Sequence, residues 1–102
     1  MDVTIEIHNH RNHEMVEEYA RERIENQLGK FPFITTCQVQ IGRDDNEGYV
    51  AKVETHVKSG APTFAHAEDV SENKALNAAL LKTVRQLKKY KDKHYQDHSI
   101  VS

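Results

Sequence analysis

Twenty residues near the end of the chain, Lys74 to Lys93 (KALNAALLKTVRQLKKYKDK), set what the rest must fold around. They hold no Gly or Pro and several Ala and Leu, so a helix is favoured throughout. Projected at about 100° per residue, Leu76, Leu80, Thr83, Val84 and Leu87 fall on one side. Lys82, Arg85, Lys89 and Lys93 form a stripe on the other, spaced i, i+3, i+7, i+11, with Lys74 and Lys88 flanking it. Such a helix needs an apolar surface to lie on and leaves a cationic surface in solvent. With six Lys and one Arg against one Asp, the stretch carries +6 in a chain of formal charge −2, so everything else sums to −8. That asymmetry is the strongest functional signal in the sequence, because charge distribution steers partners more than net charge does.

The apolar surface comes from strands. From Val3 onwards, Val3, Ile5 and Ile7 alternate with Thr4, Glu6 and His8, the pattern of a half-buried strand. Residues 9–12 read as a loop, with Asn12 or His13 starting a helix that runs from His13 to Leu28. Its inner face is read as Val16, Ala20, Ile24 and Gln27, bordered by Tyr19 and Leu28. Glu14, Glu17 and Glu18 sit where the helix dipole favours them, and Gly29 with Pro32 stops the helix. Arg23 falls beside the apolar stripe, either snorkelling at its edge or bordering a seam with the last helix.

Two more strands follow as a hairpin around the turn cluster RDDNEG. In the first, Cys37, Val39 and Ile41 alternate with polar residues; in the second, Tyr49, Ala51, Val53, Thr55 and Val57 alternate with Val50, Lys52, Glu54, His56 and Lys58. SGAP makes the next turn. A short strand then places Phe64 and His66 on one face and Ala65 and Ala67 on the other, and Ser71 caps the final helix. The expected fold is therefore α+β, in the order β-α-β-β-β-α. It is a four-stranded mixed sheet with two helices side by side on one face, like a double-stranded-RNA-binding domain. A length of 102 residues fits one domain, read as 1–94, with 95–102 a frayed C-terminal tail.

Little else in the chain suggests chemistry. Cys37 is the sole cysteine, so no internal disulfide forms and a reduced, cytoplasmic setting is expected. No signal peptide or membrane span is visible, and no membrane partner is expected. His8, His10 and His13 are close in sequence, and His94 and His98 are spaced i, i+4, but no supporting ligand set converges on either group. No metal, cofactor or small-molecule substrate is expected. With no phosphate loop, nucleophile elbow or zinc motif, the chain does not read as an enzyme. The basic stripe reads either as a phosphate-backbone surface with strongly salt-dependent affinity or as a solvated lysine-rich face.

A resemblance favours the first of these. Ala67-Glu68-Asp69, then Ala75, Leu76, Asn77 and Lys82, then Arg85-Gln86-Leu87 followed by Lys89 and Lys93, resemble the ribosome hibernation-promoting factor family. That family includes the ribosome-associated translation inhibitors and is also called the sigma-54 modulation protein family. Ile5 with Asn9, and Phe31 with Ile34, extend the likeness over nearly the whole chain. It implies a bacterial, cytoplasmic stress or stationary-phase factor of the short form. Such a factor binds the small ribosomal subunit and its ribosomal RNA near the decoding centre. It would block messenger and transfer RNA, preserve idle ribosomes and promote ribosome pairing. The implied RNA contacts are Lys82, Arg85, Lys89 and Lys93, to which the helical projection adds Lys88 and Lys91; Arg23 matches a position that is basic in relatives. Asn26 and Asn73 depart from the lysine and aromatic that relatives often carry, and the glutamate-rich first helix is less basic than theirs. The alternative is a generic double-stranded-RNA-binding or protein-interaction domain on a similar scaffold.

Overall fold

The computed structural model describes residues 1–8, 13–43 and 48–101, the stretch 93–101 as helical backbone without side chains. Asn12, His10 and the 44–47 part of the expected turn lie outside the described residues, as do the side chains of Lys93, His94 and His98. The elements are β1 (Asp2–His8), α1 (His13–Leu28), β2 (Ile34–Arg43), β3 (Tyr49–Val57), β4 (Thr63–Asp69) and α2 (Glu72–Val101). This is the expected order. The last helix continues past residue 94, through the segment expected to fray, and no Gly or Pro there stops it.

One sheet holds all four strands in the order β1-β2-β3-β4. β1 runs parallel to β2, so α1 is the crossover between them, and β2, β3 and β4 form an antiparallel meander. Register brings the alternating apolar residues into rows across the inner face. Ile5, Val39, Val53 and Ala65 make one row; Ile7, Ile41, Ala51 and Ala67 make the next. Side chains shrink towards β4, and α2 meets that side with Ala75 and Ala79, both fully buried. Small residues on both partners let the helix sit close to β3 and β4, while α1 packs over β1. Within the core, the Thr55 and Thr63 hydroxyls hydrogen-bond each other across β3 and β4, so neither is left unpaired.

The inner face of α1 is Val16, Ala20, Ile24 and Leu28. Gln27, expected on that face, is only half-buried, whereas Leu28, expected at its border, is completely enclosed. Leu28 continues the i+4 series of Val16, Ala20 and Ile24, and the core goes on beyond the helix into Phe31 and Phe33. Gly29 ends the helix; a Cβ there would be driven into the carbonyl oxygen of Glu25, which accepts the Gly29 N–H.

Candidate nucleic-acid interface

α2 begins where expected. Ser71 Oγ accepts the Lys74 N–H at 3.5 Å and the Ser71 carbonyl accepts the Ala75 N–H at 2.9 Å, so Ser71 is the N-cap. Leu76, Leu80, Thr83, Val84 and Leu87, the five residues assigned to the inner face, are all buried. Thr83 satisfies its hydroxyl by donating to the Ala79 carbonyl at 3.0 Å. The helix is thus held to the sheet along its apolar face, and the orientation of its cations follows from that docking.

The cations do not share one environment. Arg85 and Lys89 are exposed on the outer face, and neither forms an ion pair among the described residues. Lys88 is exposed on the flank of that face. Lys82 leans to the sheet edge and donates from Nζ to the His66 carbonyl at 2.8 Å. One turn on, Gln86 donates to the Phe64 carbonyl at 2.8 Å. One turn further, the Tyr90 hydroxyl donates to the Ser59 carbonyl at 3.0 Å. This row of three side chains covers carbonyls at the open edge of β4 and at the turn before it, which would otherwise invite another strand.

Lys91 lies apart from the stripe with which it was grouped. It follows Leu87 by four residues and Val84 by seven, which puts it on the inner side of α2 just past the end of the core. There it lines a cleft of about 310 Å³ with Lys30, Pro32, Phe33 and Lys58. Lys58 enters this cluster without any signal in its local sequence; the i+4 spacing of Lys91 from Leu87 was the available clue. Lys93 lies within α2, its side chain outside the described residues.

Arg23 belongs to the helix seam. It is half-buried and donates from Nε to Asn77 Oδ1 of α2 at 3.0 Å, while Asn77 Nδ2 donates to the Tyr19 hydroxyl at 3.3 Å. Asn77 takes one of the five guanidinium N–H donors. The neighbouring Arg21 is tied to Glu17 at 3.2 Å, and the outer side of α1 carries Glu14, Glu18, Glu22 and Glu25, so the acidic helix lies directly beside the basic one.

The sheet face away from the helices is polar and mixed in charge. A shallow depression of about 800 Å³ there is lined by Gln38, Gln40, Lys52, Glu54, Phe64 and His66, among others. Glu54 engages His56 at 2.6 Å, and Gln40 donates to Glu6 at 3.3 Å. Cys37 is enclosed in the core, where burial pushes its thiol up to about 11. Among the described residues no three His, Cys, Asp or Glu side chains are grouped to hold a metal ion, and no helix is long and apolar enough to cross a membrane.

A β-α-β-β-β-α domain with both helices on one sheet face, one of them cationic outside, is the class of protein defined by this arrangement. More specifically, the profile of the sigma 54 modulation protein / S30EA ribosomal protein family matches residues 3–95, and the chain belongs to that family. Among solved structures it is similar to a ribosomal subunit interface protein from Coxiella burnetii, with a TM-score of 0.72 and 17% identity over 89% of this chain and 98% of that one. It is also similar to the Thermus thermophilus Protein Y N-terminal domain, with a TM-score of 0.75 and 14% identity over 88% of this chain and 99% of that one. At such identities the likeness establishes the fold. A sequence search of curated proteins finds no significant match.

Proposed function

We propose that this protein is a non-catalytic ribosome-binding factor whose α2 surface lies against ribosomal RNA of the small subunit, near the decoding centre. Occupying that channel would exclude messenger and transfer RNA, silence translation and preserve idle ribosomes in the cytoplasm. The observation that carries the reading is the pair Arg85 and Lys89. They stand exposed on a helix whose opposite face is buried from Leu76 to Leu87, in a member of this family. Lys88 extends the surface along the same helix, and Lys82 flanks it. Cations held on a docked helix neutralise phosphates without having to be ordered on binding.

Co-sedimentation with small subunits tests this. About four phosphate contacts predict an affinity loss on the order of 100-fold between roughly 50 and 200 mM salt. The charge-reversing pair Arg85→Glu and Lys89→Glu should abolish association, and unchanged association would overturn the reading. Equal affinity for any RNA duplex of similar length would instead favour a generic duplex-binding domain. The same gradients, run with whole ribosomes, show whether a paired-ribosome peak grows when the protein is added.

A further inference from the structure

We propose that the cleft between Lys30, Lys58 and Lys91 is a phosphate-binding subsite, taking a backbone phosphate of the RNA that α2 grips. The proposal rests on the reading of α2 given above and extends its footprint around the end of the helix. Its starting point is the position of Lys91. A residue four after Leu87 and seven after Val84 occupies the apolar side of the helix, where a leucine would ordinarily continue the core. Here that position is a lysine, and the core stops short of it. Two further ammonium groups, from the α1–β2 connection and from the end of β3, line the same space.

The three lysines come from segments far apart in sequence, and Tyr90 holds those segments together. Its hydroxyl donates to the Ser59 carbonyl, next to Lys58, at 3.0 Å. Its ring packs on Phe33 with centroids 5.0 Å apart, and Phe33 in turn packs on Phe31, the neighbour of Lys30. Gly60 admits the ring: a Cβ there would lie 2.6 Å from Tyr90 Cε2. Each lysine therefore sits beside an anchored residue, so the cluster is built into the packing of the fold.

The chemistry of the cleft points to an anion. Among the described residues no carboxylate lines it, and no ion pair engages any of the three ammonium groups. Like charges facing one cleft repel, and a bound anion converts that repulsion into attraction. Pro32 and Phe33 supply an apolar wall that excludes water on one side and strengthens the interaction. A phosphate offers several acceptor oxygens to ammonium groups arriving from different directions. Arg85, Lys88 and Lys91 form an i, i+3, i+6 row that turns from the outer face towards the cleft, covering about 9 Å of helix axis. That row gives an RNA strand a continuous cationic path from the exposed face into the subsite.

Lys58→Gln and Lys30→Gln test the subsite without touching α2. Each phosphate contact contributes roughly a fivefold affinity factor at about 0.1 M salt and about one unit of salt slope. Each variant should therefore bind small subunits roughly fivefold more weakly, with a shallower salt dependence, and Lys58→Arg should restore binding. In the free protein, titration with inorganic pyrophosphate followed by NMR should move the backbone amides of Phe33, Lys58, Ser59 and Lys91, and Lys58→Gln should abolish those shifts. Wild-type affinity and salt slope in both Gln variants would overturn the subsite, while loss of binding in Arg85→Gln with Lys89→Gln would leave the α2 reading standing. If that α2 pair binds normally, the α2 reading falls, and the pyrophosphate shifts decide the cleft alone: localised shifts support it and their absence overturns it. Weaker binding of Lys58→Gln to whole subunits but not to protein-free ribosomal RNA would assign the cleft to an acidic protein segment and overturn the RNA phosphate.

Discussion

Arg23 of α1 donates its Nε–H to Asn77 Oδ1 of α2 at 3.0 Å, joining the acidic helix to the basic one across a half-buried seam. A hydrogen bond from a charged donor in such a setting contributes about 1–2 kcal/mol, and the two residues should be energetically coupled. Urea unfolding of Arg23→Ala, Asn77→Ala and the double variant should show each single change destabilising by about 1–2 kcal/mol. The double variant should cost about 0.5–1 kcal/mol less than the sum. If Arg23 acted only on RNA, the cycle would show no coupling and stability would be unchanged.

Lys82 and Arg85 are one helical turn apart yet should behave differently. Lys82 Nζ is engaged with the His66 carbonyl at the β4 edge, whereas Arg85 is exposed on the outer face. Lys82→Ala should lower the thermal midpoint by a few degrees, corresponding to about 0.5–1 kcal/mol, and reduce subunit binding only modestly. Arg85→Ala should leave the midpoint within about a degree, because exposed substitutions away from any packed feature stay within roughly 0.5 kcal/mol. Its binding loss should be the larger of the two. Adding Gln86→Ala to Lys82→Ala uncovers a second edge carbonyl, and light scattering should then show faster aggregation on heating.

The strands were legible because each has one buried face, and a slip by one residue would expose the whole apolar set. Val39 and Val53 alternate with polar residues, and they meet Ala65 across the sheet in one row. The bounds of α1 were also readable, from Gly29 and Pro32. Positions whose meaning depends on what lies beneath them were not. Gln27 and Leu28 lie on either side of the direction set by Ile24, three and four residues on, and Phe31 and Phe33 beyond the helix end continue the core on the Leu28 side. Lys91 was added to the outer cations from the helical projection, although its spacing from Leu87 places it on the inner side. The double role of Lys82 needed the strand order, because only an edge strand offers free carbonyls. Arg23 was left between snorkelling and a seam, and the seam needed Asn77 of α2, which both Arg23 and Tyr19 meet.

Gly60 should be among the least replaceable residues of the β3–β4 turn. An added methyl would lie 2.6 Å from the Tyr90 ring and 3.2 Å from Val57 Cγ2. The ring cannot retreat without breaking its bond to the Ser59 carbonyl and its packing on Phe33. Gly60→Ala should destabilise by about 1–3 kcal/mol, the usual cost of overpacking. Tyr90→Phe, which keeps the ring but loses the hydroxyl, should cost about 0.5–1.5 kcal/mol. Thermal melts of the two variants separate these effects, and equal losses would show that the hydroxyl bond rather than the close approach governs the turn.

Cys37 gives a pH prediction with a defined sign. Its side chain is fully enclosed between β1 and β3, opposite Val3 and Thr55, and desolvation raises its pKa from 9.0 to about 11. The folded protein therefore holds the neutral thiol more tightly than the unfolded chain does. That contribution is fully present below pH 9.0 and is lost as pH rises through about 11. Two units correspond to about 3 kcal/mol, an upper bound because the core relaxes around an ionised thiol. Urea midpoints between pH 8 and 11 should fall more steeply for the wild type than for Cys37→Ala, since every other group is common to the two proteins. At pH 8 the native thiol should resist alkylation, because the reactive thiolate is scarce and unreachable, and its modification rate should rise with the unfolded fraction. Parallel alkaline losses in the two proteins would remove Cys37 as the cause, and rapid alkylation without denaturant would contradict its enclosure.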